Sequence, residues 1–438
     1  MKGEDKLIAE QGEIIVTLHT EQNAIQILSL TEQEKIMDQL LFERLQQLLP
    51  LLMKKHNVDM WLTIGKEYKE DPLGETFFPA AIDSSRRLTI FAFVKDIHSD
   101  EIKRFVISSN KNFEPFYSCF PLRDSEDSFT GLKRLVDKYD PESIAVNTSL
   151  HYAFCDGLSH SNYVELLKVL EKRHAEKLMS SESIAVDWLQ TRTESELNWY
   201  KILEGITKEI VKQTFTNERI KPHVTSTQDI VGRIRQHVRD LGLKTSFYPT
   251  VDIQRKDGSS DRLEDVILPG DILHLDFGIE YLGLCTDTQQ LAYVLRDNEK
   301  EPPAGLINAL SEANKFEDFF FEESKVGMTG NEVFLSVLKK AKLNHIDAML
   351  YSHPIGYHCH GAGPIIGLYD KQEYIPVRGE LRIENNTCYA LEFNIRHFIP
   401  EWNKAVPIYL EETVCLREGK MQFFTGRQTE FYLIEPKW

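Results

Sequence analysis

With 438 residues, 42% of them hydrophobic and 27% charged, the chain has the composition of a soluble globular protein and is long enough for two cores. Its 51 basic and 68 acidic residues leave a formal net charge of −17, spread along the chain, which argues against general affinity for nucleic acid or an anionic membrane. No run is apolar enough to span a bilayer, the N-terminus lacks a secretory-type apolar core, and the six cysteines form no CxxC pair; a cytoplasmic, reducing setting without disulfide framework or zinc ribbon is expected.

Residues 1–30 show no strong period and read as an N-terminal extension or an edge element. Thr31 and Glu34 then form a capping box ahead of Ile36, Leu40, Leu41, Leu45 and Leu48 at helical spacing, and Pro50 is expected to kink or end that helix. Strands are expected at 58–64, 88–94, 105–108, 144–146 and 184–186, with helices at 129–138 and 163–170. The alternation predicts a small α/β lobe over residues 31–187. It holds no phosphate-loop or nucleophile motif, so a gating, oligomerising or purely structural role is expected.

From residue 188 the pattern changes. Thr193 and Glu196 box a long helix through Leu203 and Ile206, and Thr225 and Gln228 box a second through Ile230, Ile234 and Val238. About a hundred residues later, 325–332 introduces a helix bearing Val333 and Val337. The parallel between KPHVTSTQDI and KVGMTGNEVF is what an internally duplicated domain would leave, although capping boxes are common.

Between these helices, 271–290 (DILHLDFGIEYLGLCTDTQQ) reads as a hairpin about Tyr281-Leu282-Gly283. Each arm carries one carboxylate in an apolar setting, Asp276 and Asp287. A carboxylate taken from water is costly unless compensated, and a metal ion is the strongest local compensation. Downstream stand His353 in SHPIG, Glu392 in YALEF and Glu411 in EETVCL. Singly, each reads more simply as a turn cap, a surface charge or a core histidine. Cys285, Cys359 and Cys388, nearby, read as buried small hydrophobes.

As an ordered series, Asp276, Asp287, His353, Glu392 and Glu411 resemble the ligands of the pita-bread metallopeptidases: aminopeptidase P, prolidase, methionine aminopeptidase and creatinase. The spacing of the two aspartates (287 − 276 = 11) and of His353 from His360 (360 − 353 = 7) agrees with that pattern. The resemblance is good from about residue 190 onward and looser over 31–185. It implies an α/β (α+β) chain whose C-terminal pita-bread domain, 188–438, has an internal pseudo-twofold duplication, preceded by a smaller creatinase-type N-terminal lobe. It further implies two divalent metal ions, manganese foremost with cobalt, zinc or iron as options. Asp276 would bind one, His353 and Glu392 the other, and Asp287 and Glu411 would bridge. One imidazole with four carboxylates is a hard, oxygen-rich donor set that suits such ions and carries too much charge for one of them. By the same resemblance a metal-bridging hydroxide attacks a peptide bond, His360 is the catalytic residue stabilising the carbonyl oxygen, the substrate is a short peptide or dipeptide of Xaa-Pro type, and the protein is a homodimer.

His358 reads either as a substrate contact or as packing. His274 would share a strand face with Asp276, as a core histidine or as a partner to a ligating carboxylate. The chain departs from aminopeptidase P and prolidase at four places. There is no histidine between His237 and His274, and the position two before Glu411 is Tyr409. Met349 stands four before His353, and Gln289 replaces the threonine two after Asp287. These touch substrate handling, for which Arg396 and His397 are candidate replacements. A creatinase-like amidinohydrolase acting on a small substrate, or a non-catalytic pita-bread binding protein, are the alternatives; the second should have lost ligands, and all five are kept.

Overall fold

The computed structural model describes residues 25–96, 98–99, 101–258 and 265–437; most of the expected extension, 1–24, lies outside the described residues. The first helix, Leu30–Glu43, is capped by Ser29 with Glu32 as its box partner, two residues before the Thr31 box read from the sequence. Both patterns satisfy the motif, and the incoming backbone selects one. Pro50 does not end this helix. Arg44–Leu48 widens into a π-helical turn, and the α-helix Leu49–Lys55 resumes with Pro50 in its first turn, where a missing N–H needs no partner.

The N-terminal sheet runs Ser118–Cys119, Ile102–Ile107, Thr89–Lys95, Met60–Gly65, Ile144–Val146, Leu178–Ser180. Its central strands are covered on both sides. Trp61, Phe91 and Phe93 pack against Trp188 and Ile184, whereas Met60, Leu62 and Ile90 pack against Leu132 and Leu135. The strand expected at 184–186 is a correction: those residues belong to the helix Glu182–Gln190, and residues 184–190 are buried throughout. A helix buried on every side has no amphipathic period, so a short apolar run imitates a strand.

The C-terminal region shows the expected repetition. A long helix (Glu194–Thr214), a shorter one (Thr227–Asp240) and strands Thr250–Gln254, Ile272–Phe277 and Thr288–Val294 are followed by the same series: Ala304–Glu323, Gly330–Leu343, then strands Asp347–Leu350, Thr387–Ile399 and Lys404–Arg417. The second short helix is boxed by Thr329 and Glu332; the first is boxed by Ser226 and Asp229, one residue beyond the Thr225 and Gln228 read from sequence. The two strand sets form one sheet, in the order 347–350, 387–399, 404–417, 288–294, 272–277, 250–254, so the halves meet where 288–294 pairs with 404–417.

A buried ion group joins the regions. Arg44 Nη1 lies 2.8 Å from Glu196 Oε2, Arg192 Nη1 lies 3.2 Å from Glu196 Oε1, and none of the three side chains is more than 1% exposed. The Arg44 guanidinium sits 4.2 Å from the Trp188 ring, and the Arg44 and Arg192 guanidinium groups lie 5.1 and 4.9 Å from the ring of Tyr357. Tyr357 directly precedes His358-Cys359-His360, so this junction grips the loop that carries the candidate histidines. No helix among the described residues is long and apolar enough to cross a membrane.

Candidate metal centre

The hairpin is the scaffold of the site. Its arms Ile272–Phe277 and Thr288–Val294 pair from Phe277 opposite Thr288 to Ile272 opposite Tyr293. Leu282 and Gly283 turn the tip with φ of 55° and 74°, a left-handed pair that suits a two-residue hairpin turn. At Gly278 the strands cross so closely that a Cβ would stand 1.9 Å from the Thr286 carbonyl oxygen.

Strand register then lines up the donors. Asp276 is opposite Gln289, Gln289 opposite Glu411, and Glu411 opposite Glu392, a row across four adjacent strands. Asp287 precedes Gln289 by two residues and so shares its face. A mutual hydrogen-bond pair holds the Asp287 backbone: its N–H donates to Thr413 Oγ1 (3.2 Å), and that hydroxyl donates to the Asp287 carbonyl (2.9 Å). His353 begins the strand His353–Ile355, which pairs along the same edge two residues from Glu392.

The five side chains singled out in the sequence are therefore brought together. Their potential ligand atoms fall into overlapping groups, each within 4.8 Å: Asp276, Asp287 and Glu411; His353, Glu392 and Glu411; and Asp287, His353 and His360. His353 Nε2 lies 3.7 Å from Asp287 Oδ2, 3.9 Å from Glu392 Oε2 and 3.9 Å from Glu411 Oε1.

Charge is poorly balanced here. Burial, and after it the Asp276 carboxylate, pushes the Asp287 carboxyl well above its ordinary range; burial and then Asp287 do the same to Glu411. Burial, with His360 next, drops His353 to about 3, so its imidazole is neutral and offers a lone pair. Asp287 Oδ1, His353 Nε2 and Glu411 Oε1 are buried without a hydrogen-bond partner. Buried acceptors facing one another without donors are what a cation-binding cavity requires, and the oxygen-rich set with one imidazole fits divalent ions.

The cavity of about 570 Å³ is lined by Asp276, Asp287, Glu392 and Glu411, with His358 and His360 at its side. The His360 ring centre lies 4.3 Å from that of His353, and burial lowers its pKa. His358 stacks at 3.8 Å and 9° on Phe154, and burial brings it down to about 4. Arg396 is exposed and is not among the lining residues, and His397 lies 3.8 Å from Glu312. Arg255, in the stretch lacking the upstream histidine, pairs with Asp271 at 2.7 Å, so its role is to hold the hairpin's base.

Several site residues escaped the sequence reading. Phe154 comes from the N-terminal lobe, and Phe247 and Ser246 line the cavity from the segment ahead of the hairpin. Cys359, read as a small hydrophobe, donates its thiol to Asp287 Oδ2 at 2.9 Å. Only its place between two candidate histidines could have signalled this. A further donor group, Asp137, Glu171 and His174, lies in the N-terminal lobe, but the Lys133 ammonium pairs with both carboxylates and the Arg173 guanidinium with Glu171, so cationic side chains already meet this charge.

The model of metallopeptidase family M24 matches residues 200–418. No curated protein sequence matches the chain. Among solved structures, an X-Pro aminopeptidase from Thermotoga maritima is similar at 15% identity, with a TM-score of 0.64 over 87% of this chain and 99% of that one. A Bacillus anthracis Xaa-Pro dipeptidase gives 15% and 0.60 over 92% and 100%, and a Pyrococcus furiosus prolidase 14% and 0.54 over 86% and 99%. At these identities the likeness is one of fold, and it extends over the N-terminal lobe as well as the duplicated C-terminal region.

Proposed function

Because this chain belongs to metallopeptidase family M24, whose model spans residues 200–418, we propose that it hydrolyses peptide bonds next to proline with two divalent metal ions. The proposed holders are Asp276 for one ion and His353 with Glu392 for the other, Asp287 and Glu411 being shared. The observation that carries this reading is the overlap of the donor groups: Glu411 belongs both to the one containing Asp276 and to the one containing His353 and Glu392. Manganese is the first candidate, with cobalt, zinc and iron as options. On the same reading residues 31–187 form the N-terminal lobe and 188–438 the catalytic domain. The Xaa-Pro preference rests on the solved relatives named for that bond.

Metal ions held there would supply an activated water and polarise the scissile carbonyl. The chain's own residues do the rest. His353 is kept neutral by burial and presents its lone pair toward the carboxylates. His360, also favoured as neutral, can donate its ring N–H to the substrate carbonyl as negative charge develops on that oxygen. Phe154 and His358, stacked on each other, with Phe247, give the cavity an aromatic side that can pack against a substrate ring and exclude water.

The test is metal analysis together with a panel of Xaa-Pro peptides and dipeptides on the manganese- or cobalt-loaded protein. Cleavage before proline is expected. Metal-replete protein that turns over no member of the panel would end the peptidase reading.

A further inference from the structure

Gln289 stands at the centre of the row Asp276, Gln289, Glu411, Glu392, where the family resemblance expects a threonine. Its side chain is 2% exposed and touches carboxylates from two strands. Nε2 donates to Glu392 Oε1 at 2.6 Å and to Glu411 Oε2 at 3.0 Å. One amide nitrogen has two hydrogens, so both are committed. The remaining oxygens, Glu392 Oε2 and Glu411 Oε1, are the two that face His353 Nε2 at 3.9 Å. The amide therefore decides which oxygen of each glutamate points into the cavity.

The amide is itself oriented. His274, fully buried one strand away, has Nε2 2.8 Å from Gln289 Oε1. Two carboxylates accept from the amide nitrogen, so the carboxamide oxygen faces His274, and because that oxygen can only accept, His274 Nε2 carries the proton and completes the amide's hold. Asp252 Oδ2 lies 3.8 Å from His274 Nδ1, and the Tyr409 ring packs on the imidazole with centres 5.1 Å apart. A threonine hydroxyl carries a single hydrogen on a shorter side chain and could not make both contacts.

We propose that Gln289 is a positioning residue of this metal centre, held by His274, which aims Glu392 and Glu411 at the corner occupied by His353 and so raises the affinity for the cation bound there. It also links two of the family departures, Gln289 and Tyr409, through His274. This inference rests on the metal-centre reading above.

Calorimetric titration of the metal-free full chain with Mn²⁺ tests it, alongside the thermal midpoint of each metal-free variant. Gln289→Thr should weaken manganese binding by roughly 10–100-fold, as loss of a partner to a ligand does. A packing role alone would move the metal-free midpoint and leave the affinity in place. His274→Leu should lower the affinity similarly, and the double variant should fall no further than the worse single, because both act through one amide. If Gln289→Thr does not fold, His274→Leu carries the same measurement. Undiminished manganese affinity in the folded variant, or additive losses in the double variant, would overturn the proposal. Wild-type protein that takes up no divalent metal would instead defeat the metal-centre reading beneath it.

Discussion

Two buried charge clusters flank the loop that carries Tyr357, His358 and His360, and they differ in whether opposite charges meet inside them. At the junction of the two regions, Arg44 and Arg192 share Glu196, and both guanidinium groups lie near the ring of Tyr357. There opposite charges touch: two guanidinium groups share one carboxylate and also donate to the backbone carbonyls of Thr191, Trp188 and Leu189. In the cavity, Asp276, Asp287, Glu392 and Glu411 converge on a neutral imidazole, and buried acceptor atoms are left without donors. A group in which opposite charges touch orders a junction; carboxylates gathered around a neutral imidazole are what a bound cation would compensate.

The contrast is broken most severely by neutralising a shared carboxylate. Asp287→Asn and Glu411→Gln keep side-chain shape but remove charge, and peptidase turnover should fall to background with at least one metal equivalent lost in elemental analysis. Next in size, His360→Ala should lower turnover by about 10²–10³-fold, the usual cost of an oxyanion donor, with metal content unchanged. Loss of both ions in that variant would show that His360 holds metal. At the junction, Arg44→Ala leaves Glu196 short of a partner and should destabilise the chain by about 3–5 kcal/mol in chemical denaturation, whereas replacing Arg44, Glu196 and Arg192 together by apolar side chains of similar volume should restore most of that. No such rescue is available in the cavity if its charge is there to hold metal.

Glu204, buried behind the sheet, is pushed up to about 7 by burial, with Lys208 pulling the other way. Its folded-state pKa is thus above its unfolded value, so the folded state binds the proton more tightly and stability falls as pH rises from about 4.5 through about 7. Glu204→Gln should gain on the wild type between pH 5 and pH 8, by up to about 3 kcal/mol. A difference independent of pH would place its cost elsewhere. Last, stripping metal with a chelator should lower the thermal midpoint, by the equivalent of about 2.7 kcal/mol if metal had been present at a hundredfold over its dissociation constant. The junction variants should show the same chelator-induced drop as wild type.

Legibility followed the range of the interaction. Asp276, Asp287 and Glu392 are legible as an ordered series: each alone has a simpler reading as a turn cap or surface charge, and only together, in apolar settings, do they ask for a shared compensation. The capping boxes were readable to within a residue or two, since overlapping Ser/Thr-x-x-Glu/Gln/Asp patterns compete at Ser29 and Thr31 and at Thr225 and Ser226. The stretch at 184–186 imitates a strand in sequence because full burial of its helix erases the period. Gln289 was visible only as a departure from a pattern. That it serves two glutamates depends on strand register, as does the contact of Cys359 with Asp287 on a loop that returns from far along the chain.

Hydrophobic period, a local property of a chain, is enough for the mixed α/β class, and the order and spacing of Asp276, Asp287, His353, Glu392 and Glu411 are enough for the resemblance to a family that names all five. The tertiary structure alone decided which oxygens face His353, that a carboxamide sits among four carboxylates, that an N-terminal phenylalanine walls the cavity and that two arginines grip Tyr357. Those are matters of a few ångströms between residues far apart in sequence, and only the packing of the two regions and the pairing of the two sheet halves sets them.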